Sequence, residues 1–507
     1  MRKTIFIKNA LILTASSLVL RFAGIIFKVW LAAAIGSEGI GLYQLIFSVY
    51  VLVSTFASSG ISTAVTRLVA EELALGSKKG TKKILKRAIQ LTAIIAIISA
   101  IVVFLGARLI ATSLLSDVRA IPALKILPFS LIFMGISSCI RGYFIARRKV
   151  TPNAATQLLE QAVRIILIFV LVKKFISKGL AACCMAVIIG DVIAEILSCL
   201  ALVITYFFDI KKLSALSGRV RPPYPVISKI LHISMPITSG RYLNSLLRTA
   251  ENILVPKNLA KYPLSSGRAL SQFGMIKGMA LPILFFPSAV INSISTLLIP
   301  EISEAAAKGQ RFVVKNATEK IIKITTLISF IFAAIFLFAG DKIGNVIYKE
   351  EDVGFLLKAL SPIVPLMYLD SISDGILKGL DQQVFSFRTA ISDSVIRIIL
   401  ILLLLPITGL YGFIAIMYFS NFLTCFLNVG RLIRISGANL KLGKEIIIPL
   451  LFSFGTVYVA NTVISRFNIS SYLLYIIIIC SVSIPIYFLL LFFYGAVDKY
   501  SIKNILH

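Results

Sequence analysis

Two pairs of oppositely charged residues lie within strongly apolar stretches of this sequence, where charge is costly. Glu160 and Arg164 are four residues apart, and so are Asp393 and Arg397. Residues at this spacing meet on one face of a helix, so the members of each pair can neutralise one another. A charged side chain at the centre of a bilayer costs about 2.5–3.5 kcal/mol on insertion scales. We interpret both as structural ion pairs, with substrate contact as the alternative.

Asp191 and Glu195 have the same spacing, but both are acidic. Two carboxylates on one helix face repel unless one is protonated or a cation lies between them. The pair is therefore a candidate cation site, with a helix end open to water as the alternative.

A further set of basic residues has a different pattern. Arg21 and Lys28 are seven residues apart, and so are Arg241 and Arg248, which places each couple on one helix face over two turns. Cations at membrane depth imply a water-filled cavity, and the guanidinium fork of arginine suits a phosphate guest. The alternative is that these long side chains extend to the membrane surface. The predicted substrate-binding residues are Arg21, Lys28, Arg241, Arg248, Glu251 and Lys277.

The composition requires membrane-spanning helices to carry these residues. The chain has 507 residues, of which 58% are hydrophobic and 15% charged, against about 45–50% and about 25% in soluble domains. Apolar runs of about 20 residues recur, each long enough to cross about 30 Å of hydrocarbon. The sequence therefore predicts an all-α polytopic membrane protein with fourteen spans. We number them 1 to 14: 9–35, 40–66, 88–107, 122–146, 154–172, 179–208, 228–256, 269–300, 321–340, 355–380, 389–405, 409–430, 446–465 and 472–497.

An internal repeat organises these spans. Ile61-Ser62-Thr63 in span 2 recurs as Ile294-Ser295-Thr296 in span 8, and Arg164 in span 5 recurs as Arg397 in span 11, both at an offset of 233 residues. An even number of spans per repeat gives two halves with the same orientation, related by an axis along the membrane normal. The predicted domains are a six-helix lobe at 1–208, a basic cytoplasmic linker at 209–227, a second six-helix lobe at 228–433, and two further helices within 434–507.

The net charge of +30 is explained by how the basic residues are distributed between the loops on the two sides of the membrane. Lys and Arg concentrate in alternate loops, so the positive-inside rule predicts a multi-pass protein of the cell membrane with both termini in the cytoplasm. These loops would attract anionic membrane lipids. No basic domain stands apart from the spans, which argues against nucleic acid as a partner.

The sequence has few residues that could bind a metal ion or a cofactor. Its six cysteines have no C-x-x-C spacing and it has two histidines, so we expect no metal centre and no cofactor. Span 8 contains Gly274, Gly278, Pro282 and Pro287, and such prolines predict kinks.

Four segments of the sequence are similar to a known family of membrane proteins. They are Gly36-Ser37-Glu38-Gly39-Ile40-Gly41-Leu42-Tyr43-Gln44, residues 244–256, Phe286-Pro287-Ser288 and residues 295–304. The sequence resembles the stage V sporulation protein B family of polysaccharide-lipid flippases, whose superfamily includes MurJ-type lipid II flippases and multidrug and toxin extruders. The resemblance implies fourteen helices in two lobes, with a central cationic cavity lined by spans 1, 2, 7 and 8. It also implies translocation of a saccharide linked to undecaprenyl pyrophosphate.

The sequence departs from the lipid II flippases at several positions. Their R-x-x-G-x-x-R-D motif is matched by Arg21 and Gly24, whereas Phe27 and Lys28 stand at its last two positions. Two further arginines of those flippases align on Ser54 and Pro282. Only Arg21 carries over, so the other basic residues of spans 1, 7 and 8 would supply the remaining charge.

Three functions remain to be compared. The leading interpretation is a transporter, not an enzyme, that flips a lipid II-like precursor by alternating access in cell wall or spore cortex synthesis. A cation-coupled multidrug exporter of the same superfamily is the second, although a cationic drug would favour acids in the cavity. An intramembrane glycosyltransferase is the third, and it would need acids at a membrane surface, such as Glu38. A coupling ion, proton or sodium, is a further candidate partner.

Overall fold

The computed structural model describes residues 2–58, 60–212, 225–262, 265–441, 443–467 and 471–495. This part of the chain consists of helices and short connections, without a β-strand. The predicted all-α class is confirmed. The predicted linker, 209–227, lies mostly outside the described residues.

Seventeen α-helices occur in the described chain. They are α1 Arg2–Ser58, α2 Ile61–Ala74, α3 Lys78–Leu109, α4 Ile121–Ile126, α5 Pro128–Ala146, α6 Thr151–Phe175, α7 Leu180–Lys212, α8 Val226–Leu259, α9 Ser266–Gly274, α10 Leu281–Phe285, α11 Ser288–Ala307, α12 Arg311–Tyr348, α13 Glu351–Leu360, α14 Val364–Gly379, α15 Gln383–Ser436, α16 Ile448–Ser465 and α17 Tyr472–Phe493. Short π-helical segments lie at Ile110–Leu114, Met275–Ala280 and Gly443–Ile447.

The helices account for the fourteen predicted spans. Ten helical segments of the described chain are long and apolar enough to cross a membrane, judged by length and composition. Two of them are bent at a glycine with positive φ, α1 at Gly36 (φ 71°) and α15 at Gly409 (φ 57°), and each therefore supplies two spans. The less apolar α8 and the broken series α9 to α11 correspond to spans 7 and 8. The kinks predicted for span 8 are present as the π segment Met275–Ala280 and the break after Phe285.

The sequence repeat is also visible in the backbone. Positive φ is rare for residues other than glycine, and in the described chain four such residues have it. They form two pairs that are each 233 positions apart, Ser116 with Lys349 and Arg148 with Asp381. Gly76 (φ 72°) and Gly309 (φ 70°) form a third pair at the same offset. The two halves therefore share the geometry of three interhelical turns.

The chain divides into two compact units. The first comprises residues up to Phe27 together with Ala34–Lys257, and the second comprises Lys28–Ala33 together with residues from Asn258 onward. The first unit extends beyond the predicted lobe 1–208 because α8 packs against α1. Thr249 donates a hydrogen bond to the Ser48 carbonyl (3.1 Å), and the Asn252 amide donates to the Ser48 hydroxyl (2.9 Å).

Each unit has a well-packed interior. In the first, the buried residues of α2, α3, α5, α7 and α8 form an apolar cluster that includes the fully buried rings of Tyr143 and Phe144. In the second, α12 and α13 cross closely: a Cβ atom added at Gly344 would lie 2.5 Å from the backbone nitrogen of Gly354. Small residues at such crossings allow helix backbones to approach within a membrane.

Candidate functional site

A chain of alternating charges connects three helices of the first unit. Arg164 on α6 contacts Glu160 on the same helix (Nη2 to Oε1, 2.7 Å) and Asp191 on α7 (Nε to Oδ1, 2.8 Å). Glu160 in turn contacts Arg141 on α5 (Oε2 to Nη2, 2.9 Å). The predicted pair Glu160/Arg164 is thus in contact, but as the centre of a four-residue network that extends across α5, α6 and α7.

Two members of this network were missed by the sequence analysis. Arg141 contacts an acid on another helix, and Ser198 on α7 donates a hydrogen bond to Glu160 Oε2 (3.2 Å). Spacing rules detect partners on one helix, whereas these contacts depend on how three helices pack. An arginine within the apolar span 4 is the signal that could have pointed to Arg141.

The two acids of the candidate cation site have different surroundings. Asp191 has Arg164 as its partner, a neighbour that the sequence analysis did not assign to it. Glu195 lies one turn further along α7, is 5% exposed, and its Oε1 atom has no hydrogen-bond partner in the described part of the chain. The interhelical ion pair gives Asp191 a basic partner, which Glu195 lacks in the described chain. A cation site at Asp191 and Glu195 stays a prediction.

The corresponding pair in the second unit is also in contact. Arg397 Nε lies 3.4 Å from Asp393 Oδ2 on α15, and the Ser420 hydroxyl donates to Asp393 Oδ1 (2.6 Å). Both predicted ion pairs therefore form within their own helices, as the i,i+4 spacing favours.

Three of the predicted substrate-binding residues are arginines of the first unit with exposed side chains. Arg21 lies on α1, and Arg241 and Arg248 lie on one face of α8. Within the described chain none of the three has an ion-pair partner, in contrast to Arg141, Arg164 and Arg397. Arg241 is at the middle of α8, which spans Val226–Leu259.

The face of α8 that packs on α1 is polar. Ser245 and Thr249 are buried there, and Thr249 and Asn252 bond to Ser48. These hydrogen bonds satisfy polar groups away from water. Arg241 and Arg248 lie beside this face on α8 and are exposed.

The other predicted substrate-binding residues lie elsewhere. Lys28, with an exposed side chain, and the half-buried Lys277 belong to the second compact unit, where Lys277 is carried by the π segment Met275–Ala280. Glu251 belongs to the first unit but is only 3% exposed. The structure therefore does not bring Glu251 to the exposed surface that carries Arg241 and Arg248.

The acids that a glycosyltransferase would need are engaged in ion pairs. Glu38 contacts Arg119 (2.8 Å), which also contacts Asp117 (2.7 Å). The hydrogen bonds that Arg119 donates to Asp117 hold the pKa of Arg119 above its usual range, and Glu38 adds to this effect. In the second unit, Asp341 pairs with Lys358. Glu38, Asp117 and Asp341 are therefore members of solvated surface ion pairs and are not free to act as a general base.

The described chain contains no cluster of three or more His, Cys, Asp or Glu residues placed to hold a metal ion. All six cysteines are free thiols, and five of them are buried. Small buried thiols behave as apolar packing residues.

Comparison with known proteins assigns the chain to a family. The family model for polysaccharide biosynthesis proteins matches residues 6–263, just over half of the chain. The chain belongs to the polysaccharide biosynthesis protein family. Stage V sporulation protein B of Bacillus subtilis (strain 168) is 28% identical over 417 residues, which cover 81% of this chain and 80% of that protein. This agrees with the family resemblance found in the sequence.

Solved structures confirm the membrane-transporter fold. A lipid II flippase MurJ in an inward closed conformation superposes with a TM-score of 0.69 at 15% identity, over 94% of this chain and 97% of that one. An inward-facing multidrug resistance MATE family transporter of the MOP superfamily gives a TM-score of 0.64 at 14% identity, over 84% of this chain and 100% of that one. The family member is a multi-pass membrane protein, and the solved structures that it resembles are those of a flippase and a transporter, in agreement with the prediction of a transporter rather than an enzyme.

Proposed function

We propose that this protein flips a lipid-linked saccharide across the cell membrane by alternating access. The substrate is a lipid II-like peptidoglycan precursor carried on undecaprenyl pyrophosphate, used in cell wall or spore cortex synthesis. The observation that carries the proposal is the contrast among the arginines. Those of α5, α6 and α15 contact acids, whereas Arg21, Arg241 and Arg248 are exposed without an acidic partner in the described chain.

Exposed arginines at the middle of a spanning helix require a polar environment. From the bilayer centre the membrane surface is about 15 Å away, further than an arginine side chain extends. Exposure to lipid at that depth is costly, so a water-filled cavity is the favourable surrounding for Arg241. A cavity lined by cations selects an anion.

The chemistry of arginine favours a phosphate-containing anion. The guanidinium group stays protonated when water is removed, and its planar fork pairs with two phosphate oxygens at once. In the proposal, Arg21 and Arg248 bind the pyrophosphate, while Arg241 contributes positive potential; Lys28 and Lys277, predicted from the sequence to add to it, belong to the second unit. Glu251 is buried and would need to move to reach the substrate.

The relatives support the substrate class. The family is named for polysaccharide biosynthesis, and one structural neighbour is a lipid II flippase. The similarity to a multidrug transporter supports the second candidate, a cation-coupled drug exporter. A coupling ion and anionic membrane lipids are further partners in either case.

Binding measurements separate these functions. Purified protein is mixed with lipid II, undecaprenyl phosphate, an uncharged undecaprenol and a cationic drug, and complexes are counted by native mass spectrometry. The proposal predicts binding of lipid II, and loss of this binding in an Arg21→Ala, Arg248→Ala variant. Arg67→Ala is a matched control, since Arg67 is an exposed base that pairs with Glu71. Preference for the cationic drug, or equal binding of undecaprenol, would support the exporter instead.

A further inference from the structure

A third acid lies beside the four-residue charge network of α5, α6 and α7. The network pairs Arg141 and Arg164 with Glu160 and Asp191, and Glu195 on α7 is the additional acid, close to Glu160 and Arg141. Glu160 and Asp191 each lie within 2.9 Å of an arginine nitrogen. Glu195 has no ion-pair partner in the described chain. With every group ionised, this buried cluster would carry one uncompensated negative charge.

Glu195 is also the member with the least polar contact. It is 5% exposed, and its Oε1 atom has no hydrogen-bond partner among the described residues. The buried Ser137 hydroxyl on α5 faces Glu195, but it is a neutral group and does not compensate a negative charge. A buried ionised carboxylate without a partner is strongly unfavourable, so such a group becomes neutral by binding a proton.

We propose that Glu195 is a proton-binding site, neutral when Arg141 pairs with Glu160 and ionised when Arg141 turns to Glu195. The geometry provides the alternative partner. Arg141 Nη2 lies 3.5 Å from the Ser198 hydroxyl, and Ser198 is three residues from Glu195, on the same face of α7. The Nε atom of Arg141 is buried without a hydrogen-bond partner in the described chain. A proton and Arg141 thus compete for one carboxylate.

The groups that face Glu195 determine when it binds the proton. They are Tyr50 on α1, Ser137 and Arg141 on α5, Glu160 and Arg164 on α6, and Cys199 on α7; Asp191 lies one turn away on the same helix. Glu160 is a like charge, whereas the two arginines are opposite charges. Both arginines already contact Glu160 or Asp191, so this arrangement leaves Glu195 without a counterion.

A proton that exchanges at Glu195 would couple a proton gradient to movement of α5 against α6 and α7. This consequence rests on the proposed transport function, whereas the proton site itself does not. Sodium is less suited to the position, because a metal ion needs several oxygen ligands and the other two acids of the network are occupied by arginines.

Carbodiimide labelling tests the site without any transport assay. Dicyclohexylcarbodiimide reacts with protonated carboxyl groups in apolar surroundings, and peptide mass spectrometry of the purified full-length protein locates the adduct. The expected result is an adduct at Glu195 that declines as pH is raised, is absent in Glu195→Gln, and is unaffected by sodium. An adduct at Glu160 or Asp191 instead, or no adduct at Glu195 at any pH, would overturn the proposal. Protection by sodium would replace the proton with a metal cation.

Two variants test the role of Arg141. Arg141→Gln removes the competing base while Glu160 keeps Arg164, so labelling of Glu195 should persist to a higher pH than in the wild type. Asp370→Asn is the matched control, because Asp370 is an acid of the second unit that accepts a hydrogen bond from Asn428 (2.7 Å), and labelling of Glu195 should not change. An unchanged pH profile in Arg141→Gln would refute the competition.

A binding experiment separates this proposal from the proposed function. Glu195→Gln should still bind lipid II but lose the dependence of transport on a pH gradient in liposomes. Failure of the wild type to bind lipid II would contradict the proposed function and leave the labelling result intact.

Discussion

Arg164 and Arg248 are the same residue type in opposite situations. Arg164 lies between the carboxylates of Glu160 and Asp191, whereas Arg248 extends from the exposed face of α8. Replacing a paired arginine leaves buried acids without compensation, which destabilises the fold. Replacing an exposed one removes charge from a surface, which affects binding more than folding.

The exposed arginines give the first prediction. Arg21→Ala and Arg248→Ala should each lower the affinity for lipid II by about ten- to a hundredfold, because a hydrogen bond to a charged group contributes about 1.5–3 kcal/mol. The lysine variants should lose less, since they keep the charge but not the fork. Titration of the purified variants with lipid II measures this.

Complementation of a flippase-depleted strain tests the same residues in cells. The double alanine variant should fail to complement at a normal protein level on immunoblots. Full complementation by that variant would indicate that these arginines extend to the membrane surface and do not bind substrate.

The interhelical network changes the expected outcome of a charge reversal. A lone pair should tolerate exchange of its two charges. In the variant Glu160→Arg, Arg164→Glu, however, the new arginine would meet Arg141 and the new glutamate would meet Asp191. The double reversal should therefore yield less folded protein than the equivalent exchange Asp393→Arg, Arg397→Glu in α15.

Fluorescence-detected size-exclusion chromatography of detergent extracts measures the folded fraction of both variants. Equal recovery of the two double reversals would show that the contacts to Arg141 and Asp191 contribute little to stability. Each single reversal is the reference for its own pair.

At the scale of single residues, the sequence predicted contacts within a helix but not contacts between helices. Glu160 with Arg164 and Asp393 with Arg397 follow from the periodicity of a helix and are in contact. Arg141 and Ser198 depend on the packing of α5 and α7 against α6, for which spacing along the chain gives no rule. The burial of Glu251 is likewise not given by its spacing along α8.

At the scale of elements, one exposed face of α3 changes from basic to apolar along the helix. One exposed stripe of this helix begins with bases and continues with apolar residues: Lys79, Lys82, Lys83, Lys86 and Arg87, then Ile94, Ile97, Ile98, Ile101, Val102, Leu105 and Leu109. The opposite face is buried at Ile84, Leu85 and Ala88. We interpret the change near Gln90 as the boundary between headgroups and hydrocarbon.

This basic stripe is expected to bind anionic lipids. Each Lys or Arg near a negatively charged membrane surface contributes about 1 kcal/mol. Changing Lys82, Lys83, Lys86 and Arg87 to Gln should therefore lower the amount of phosphatidylglycerol that copurifies with the protein, measured by lipid mass spectrometry. The control changes Lys173, Lys174 and Lys178 to Gln at the end of α6, predicted to lie on the other side. An equal loss in both would contradict a specific role for the α3 stripe.

The elements were predictable wherever hydropathy is strong. The backbone angles of Gly36 and Gly409 are not helical, so each glycine separates two helices without a loop of several residues, a detail that span lengths do not reveal. Span 8 was predictable as broken, because its prolines remove backbone hydrogen bonds. The exact position of the π segment Met275–Ala280 depends on local packing and was not predictable from the sequence.

At the scale of the whole chain, the repeat and the compact units follow different boundaries. The repeat was found in the sequence, and the backbone reproduces it in turns such as Ser116 and Lys349. The first compact unit nevertheless includes α8, because its polar face bonds to Ser48. Hydrogen bonds between distant segments decide this boundary, and no local pattern predicts them. A domain boundary at the linker 209–227 stays a prediction.

The last prediction concerns the orientation of the chain. Basic residues such as those of the α3 stripe favour the cytoplasmic side, and fourteen spans place both termini on that side. Lys79→Cys, at the start of α3, should then react with a membrane-impermeant maleimide only after cells are opened. Ser177→Cys, exposed between α6 and α7, should react in intact cells. The unmodified protein is the control, since five of its six cysteines are buried. Labelling of Lys79→Cys but not Ser177→Cys in intact cells would reverse the topology, and with it the direction of transport proposed here.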